Sequence, residues 1–268
     1  MKINLLIITI FGLLLNACGE GGVEAQSVAN ALQGEDNQLY GLEALDESDQ
    51  EIEVLSQASQ ADVNRCKQTK RCRGMNLRYA NLRGANLQNA DLRDADLRHA
   101  NLSLANLTRA DLRSANLNYS NMIGVRAFRA NLSYSKISYV ELDNAFMYGA
   151  NMSDSRIHHT DMRLANLNAS IFSRSSVQYS RLEGAELRNS IAPFANFSYS
   201  NLKFTDSRGI NLFRTRIEYA FLGHGDFSNS NLKQANFNYT WVHRARFTRS
   251  DRTGAIFTYT RSKNTARW

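Results

Sequence analysis

The chain has 268 residues, of which 43% are hydrophobic, with a single proline and a net charge of +7. That composition excludes an intrinsically disordered chain and leaves room for one or two ordinary domains. The charge is unevenly placed. Gly19 to Asn64 holds 11 acidic residues and no Lys or Arg, Arg65 to Arg73 holds five basic residues and no acid, and from Gly74 onward 26 basic residues stand against 14 acidic.

In chain order, residues 1–17 read as an export signal. An apolar run, INLLIITIFGLLL, follows Met1 and Lys2. It is too short to span a bilayer and of the right length for a signal core. The next residues, LNAC (Leu15 to Cys18), resemble the bacterial lipobox, although Asn16 is unusual there. The resemblance implies a diacylglyceryl group on Cys18 and, with Gly19 following, an outer-membrane destination. The alternatives are an uncleaved anchor and an ordinary cleaved signal.

Residues 18–64 form an acidic tether, rich in Gly, Glu, Gln and Asn up to about residue 40. Over 41–63 Leu42, Leu45, Ile52 and Leu55 share one helical face, so this stretch is either a helix covering the start of the next region or further tether. The basic segment 65–73 contains Cys66 and Cys72. With Cys18 lipidated, these two make an even pair in an oxidising compartment, which points to a disulfide. A zinc site fits less well, because the spacing is not that of a zinc knuckle and no histidine lies nearby in sequence.

From residue 74 to 268 a leucine-like residue returns every fifth position. A step of five rotates by roughly 140° on an α-helix and alternates faces on a strand, so neither gives a core. Written x-A-N-L-x, the pattern runs through 39 consecutive units, and up to Phe247 only Ser207 breaks the apolar central position. A chain that turns about 90° every five residues places the small and the central residue inward and the Asn or Asp between them outward. Four units then make a 20-residue coil. The units YANLR, GANLQ, NADLR and HANLS resemble the pentapeptide-repeat family, whose motif is A-(D/N)-L-x-x. That resemblance implies an all-β solenoid, a right-handed quadrilateral parallel β-helix, here with about ten coils.

One column tests the 20-residue coil independently of the motif. The last corner position of every fourth unit is Tyr79, His99, Tyr119, Tyr139, His159, Tyr179, Tyr199, Tyr219, Tyr239 and Tyr259. A four-sided coil predicts these rings one above another on a single edge, stacked at about 0.5–1.5 kcal/mol per pair. Pro193 falls at a corner, where a missing N–H disturbs the ladder least. At the far end the central residues become Phe227, Phe237, Phe247 and Phe257 and degrade to Arg252, Ser262 and Arg267. An open last coil would expose strand edges, so the sequence predicts aromatic self-capping or a homodimer through the C-terminus.

No constellation for catalysis is present in the sequence: there is no phosphate-binding Gly loop, zinc spacing or nucleophile elbow. His158 in HHTDM and the pair His224 and His243 read as solvated outward residues, and the inward Ser and Thr as partners for backbone carbonyls. The function expected is therefore non-enzymatic, without cofactor or metal: a lipid-anchored envelope scaffold or binding rod. Its candidate partner-binding edge is Tyr119, Tyr139, Tyr179, Tyr199, Tyr219, Tyr239 and Tyr259. The expected partners are the membrane through the lipid, and an envelope protein or an anionic glycan drawn to the basic surface. Some proteins of the resembled family mimic DNA, bind gyrase and confer fluoroquinolone resistance; the export signal and basic charge depart from them. Direct nucleic-acid binding is disfavoured by the same signal and by arginines that form no continuous column at 20-residue spacing.

Overall fold

The computed structural model describes residues 57–261 and 265–268. The described residues all belong to one compact unit, within Glu51–Trp268. The expected signal, Cys18 and nearly all of the tether, including most of the 41–63 stretch, lie outside the described residues. No described helix is long and apolar enough to cross a membrane.

The one described helix, α1, spans Gln60–Thr69. Its start is fixed by Ser59, whose side chain accepts the Asp62 N–H, with Asp62 placing negative charge in the first turn. Its end is fixed by Lys70 in the left-handed conformation, whose N–H donates to the Cys66 carbonyl. Val63 and Cys66 are its buried residues, and both join the core of the repeat body. A disulfide links Cys66 to Cys72 and so ties the helix to the first coil.

Beyond Cys72 the chain forms square coils. Parallel bridges link residues 20 apart without interruption, from Arg71↔Asp91 to Trp241↔Arg261. Each face contributes a single bridging residue per coil, because a corner every five residues leaves no length for an extended strand. The bonds alternate up and down the stack: Leu82 N–H donates to the Asn101 carbonyl at 2.8 Å, and Asn101 N–H donates to the Ala80 carbonyl at 3.0 Å. The small and central residues are buried and the Asn or Asp between them faces outward. That residue also builds the corner. Asn81 Oδ1 accepts the Arg83 N–H, and the same bond recurs from Asn86 to Gln88 and from Asn101 to Ser103.

Most corners carry backbone strain. All 38 corner residues from Gly74 to Tyr259 have φ between 52° and 72°, yet only seven are glycine. For the others the left-handed conformation costs roughly 1–2 kcal/mol per residue. The stack must offset that cost coil after coil, through its ladder bonds and its core.

The core is a column of leucines that gives way to phenylalanine: Phe172, Phe197, Phe227, Phe237 and Phe247 are all buried. The exception at Ser207 has a neighbour that compensates for it. Phe227 lies one coil along in the same register, and a Cβ on Gly225 would come within 2.8 Å of its ring. The large ring thus fills space that a small central residue and a glycine leave open.

Most inward hydroxyls bind backbone carbonyls, as the sequence led us to expect; the buried Ser120 Oγ is an exception. Ser180 Oγ donates to the Ile157 carbonyl and accepts the Thr160 N–H, so a hydroxyl from one coil enters the corner bond of the coil before it. Ser200 does the same to Val177 and Ser180. Where the next coil supplies Ala220 instead, the corner closes on itself, with Ser200 N–H donating to the Phe197 carbonyl.

The repeat register does not continue unbroken to the end of the chain. The unit count puts Arg267 at an inward central position, but Arg246 bridges to Arg267, a separation of 21. This one-residue slip leaves Arg267 on the outside and puts Trp268 over the core, stacked on Phe247 with centroids 5.0 Å apart. The reason is energetic, since burying an unpaired guanidinium costs far more than burying an indole. Trp268 also meets Phe257 edge-on and lies under the Arg252 guanidinium, so the core ends on an aromatic cap.

Outside the core, arginines neutralise the aspartates of the coils. Arg93 binds Asp91 with two bonds, which hold the carboxyl at about 2. Burial would raise the Asp206 carboxyl, but hydrogen bonds from Arg208 and Arg188 outweigh it and leave it at about 2 as well. A carboxylate whose pKa is depressed in the fold contributes stability above its unfolded value and loses it as pH falls toward the folded one. The contribution of these carboxylates is therefore expected to hold from neutrality down to about pH 4, and the melting temperature to fall most steeply between about pH 4 and pH 2. In Asp206→Asn the acid-side slope in thermal melts should be shallower. An identical slope would show that these pairs do not govern acid stability.

Candidate functional site

The corners that connect the face of Asn76 to the face of Asn81 form one edge of the square. A left-handed corner residue points its side chain out along that edge, and the next coil repeats the geometry one storey up. Ten aromatic residues at 20-residue spacing therefore stack. Tyr119 and Tyr139 have centroids 5.0 Å apart and planes 4° apart, Tyr199 and Tyr219 5.0 Å and 1°, Tyr219 and Tyr239 4.8 Å and 2°. Tyr179 stacks on Tyr199, and Tyr239 on Tyr259. His99 lies between Tyr79 and Tyr119, and His159 between Tyr139 and Tyr179.

All seven tyrosines of the expected edge thus share one ladder. Each remains open to solvent, from 44% exposed at Tyr219 to 70% at Tyr259. Because the ring faces cover one another, the ladder presents ring edges and phenol hydroxyls. Burial against its neighbours, together with Tyr239, Tyr199 and Glu218, pushes the Tyr219 phenol upward, which keeps its hydroxyl a donor.

The histidines outside the ladder do not converge on a metal site. His158 Nε2 lies 2.8 Å from Ser176 Oγ, and burial, then the charges of His159 and Arg156, lower its pKa. His224 and His243 do meet on adjacent coils, edge to face with centroids 5.4 Å apart. Among the described residues no group of three or more His, Cys, Asp or Glu could hold a metal ion.

A second feature was not anticipated from the sequence. Beside the upper ladder, the outward bridging positions that carry Asn81, Asn101 and Asn121 lower down become Phe221 and Trp241. Their rings meet edge to face at 6.2 Å, with the Lys203 ammonium 5.2 Å from one and 4.8 Å from the other. Together with Tyr219, Tyr239, Tyr259 and Arg261 they line an open groove of about 450 Å³. Around the next corner, His224, Arg244, Arg246 and Arg267 surround Asp226 in a groove of about 550 Å³. The usable signal was an aromatic residue at two successive outward positions where the repeat asks for Asn or Asp.

Among solved structures, the chain is similar to HetL, a pentapeptide repeat protein involved in heterocyst differentiation regulation from the cyanobacterium Nostoc sp. Strain PCC 7120. The identity is 22% over 74% of this chain and 92% of that one, with a TM-score of 0.37. It is also similar to QnrB1, a plasmid-mediated fluoroquinolone resistance protein, at 17% identity over 55% of this chain and 83% of that one, with a TM-score of 0.30. A third is a pentapeptide repeat protein of the Arabidopsis thaliana thylakoid lumen, at 18% identity over 42% and 61%, with a TM-score of 0.20. No curated protein sequence matches. The sequence profile for pentapeptide repeats matches in eight copies, over residues 71–103, 90–126, 105–138, 130–168 and 210–249. With half of its length matched and its coils square, the chain belongs to the pentapeptide repeat family, whose fold is the right-handed quadrilateral β-helix.

Proposed function

We propose that this protein is a non-enzymatic binding module of the bacterial envelope. In this reading residues 1–17 are a cleaved signal, lipid on Cys18 anchors the chain in the outer membrane, and residues 18–64 are a tether. A basic segment, 65–73, leads into a β-helix of about ten coils over 74–268. The observation that carries the binding role is the unbroken, exposed aromatic edge, eight of whose ten rings are tyrosine. Tyrosine combines a rigid apolar body with a polar tip, which suits an interface. The partner is an envelope protein or an anionic glycan. Gyrase binding, the other activity raised by the family resemblance, draws no support from a repeat body whose charge is opposite to that of DNA.

Two measurements test the reading. Mass spectrometry of the mature chain is expected to find it beginning at a diacylglyceryl Cys18; an unmodified cysteine would end the lipid anchor. Crosslinking and pull-down of the intact lipoprotein from its native envelope is expected to recover a partner that the Tyr179→Ala, Tyr199→Ala double variant no longer holds. Equal recovery by the variant, checked for an intact fold by circular dichroism, would remove the ladder from the interface.

A further inference from the structure

The groove beside the upper ladder has a chemistry of its own. Its walls are aromatic, and its charged groups, Arg261 and the flanking Lys203, are both cations. The excess of positive charge is densest here, with half of the repeat body's surplus in its last 29 residues. Lower in the stack, arginines are matched with aspartates, as in Arg98 with Asp96, Arg113 with Asp111 and Arg174 with Asp154. Residues 240–268 hold seven Lys or Arg and one acid, Asp251. Among the described residues Arg244, Arg261 and Arg267 form no ion pair, while Asp251 is held by Lys233. An anion is therefore the complementary ligand.

The rings narrow the choice of anion. A basic groove lined with aromatics also describes a site for single-stranded nucleic acid, where bases stack on open ring faces. Few open faces exist here. Tyr219, Tyr239 and Tyr259 cover each other at 4.8 and 5.0 Å, and Trp241 lies nearly parallel to His243 with the Lys203 ammonium over its ring. What the groove offers is a row of phenol hydroxyls, one per coil, beside an apolar wall held rigid by a cation. The coil rise of about 4.8 Å is close to the advance of an extended β-linked sugar chain per residue. Hydroxyl groups spaced that way suit a polyhydroxylated ligand lying along the edge.

We propose that the groove formed by Tyr219, Tyr239, Tyr259, Phe221, Trp241 and Arg261 binds an acidic glycan that runs parallel to the stack. Successive sugars pair their hydroxyls with the tyrosine hydroxyls, apolar C–H groups pack against the exposed flank of Phe221 beside Trp241, and a sugar carboxylate or phosphate accepts from the Arg261 guanidinium. The site rests on the reading of the chain as a binding module, but it needs neither the lipid nor the middle of the ladder.

The test is titration calorimetry on the full mature chain, with a β-1,4-linked oligomannuronate hexamer, a sugar-phosphate oligomer, neutral β-1,4-linked cellohexaose and a single-stranded oligonucleotide as probes. One or both acidic glycans should bind, cellohexaose should bind at least about tenfold more weakly, and binding should weaken with salt. Arg261→Gln should weaken the acidic glycan about tenfold with an unchanged melting temperature, and Phe221→Asn, which restores the outward residue type of the lower coils, should weaken acidic and neutral probes alike. Lys136→Gln, which removes an exposed cation low in the stack, should bind as the parent does. Failure of both acidic glycans to bind, equal binding by Arg261→Gln, or tighter binding of the oligonucleotide would overturn the proposal. Loss of the envelope partner in the tyrosine double variant with glycan binding intact would separate this site from the mid-ladder interface.

Discussion

Leu132→Asp is expected to lower the melting temperature sharply and to open the middle of the stack before its ends. Leu132 is fully buried, in register with Leu112 one coil before it and Met152 one coil after it. Its N–H donates to the Asn151 carbonyl at 2.7 Å, so side chain and ladder belong to the same residue. Removing the leucine forfeits about 1.5–3 kcal/mol of burial. The carboxyl then lies in an apolar column without a partner, which brings the total to at least about 4 kcal/mol. In a stack each coil is held by its neighbours, so the loss spreads along the axis rather than across a globule. Hydrogen exchange should show amides between Leu112 and Met152 losing protection first, with those nearer α1 and Trp268 following. Leu132→Met separates volume from polarity: methionine already fills this kind of position at Met122, Met147, Met152 and Met162, and the cost should stay below about 1.5 kcal/mol. An unchanged melting temperature in the aspartate variant would mean that Leu132 does not sit in a dry core.

The central leucines and the ladder were legible from the sequence because each is periodic, and a period of 20 inside a period of five has one geometric reading. What was hidden lacks a period. The pattern over 41–63 drew attention to an amphipathic stretch upstream, whereas α1 at Gln60–Thr69 buries only Val63 and Cys66 and is set by its caps. Ser59 followed by Asp62 was the available signal, a local one that hydrophobic periodicity does not register. The slip at the C-terminus was hidden for a similar reason. Ala266, Arg267 and Trp268 repeat the small, outward and central order one residue late, and only the relative costs of burying arginine and tryptophan reveal it. The strain was the least visible feature. Left-handed corners are usually read from glycine, and here 31 of the 38 between Gly74 and Tyr259 carry other residues, because the stack dictates the backbone and side-chain preference does not. The Phe221–Trp241 wall was readable as a departure from the repeat, but its meaning depends on the nearby ladder and Lys203, which come together only in the folded coil.

The ladder itself presents a choice between two costs, and a pair of substitutions at Tyr179 resolves it. Tyr179 has φ 57° and stacks on His159 at 5.0 Å and on Tyr199 at 4.9 Å. Tyr179→Ala keeps the strained backbone and loses both stacks, an expected cost of about 1–3 kcal/mol. Tyr179→Gly loses the same stacks but relieves roughly 1–2 kcal/mol of strain, against about 0.5–1 kcal/mol of added freedom in the unfolded chain. The expected order of melting temperature is therefore parent, then glycine, then alanine. Glycine below alanine would show that the corner is not strained. A glycine variant as stable as the parent would be the more informative surprise. Glycine occupies seven corners elsewhere, yet none of the ten ladder positions. If stacking added nothing there, stability could not explain the aromatic run, and contact with a partner along that edge would be the remaining physical reason for ten rings in a row.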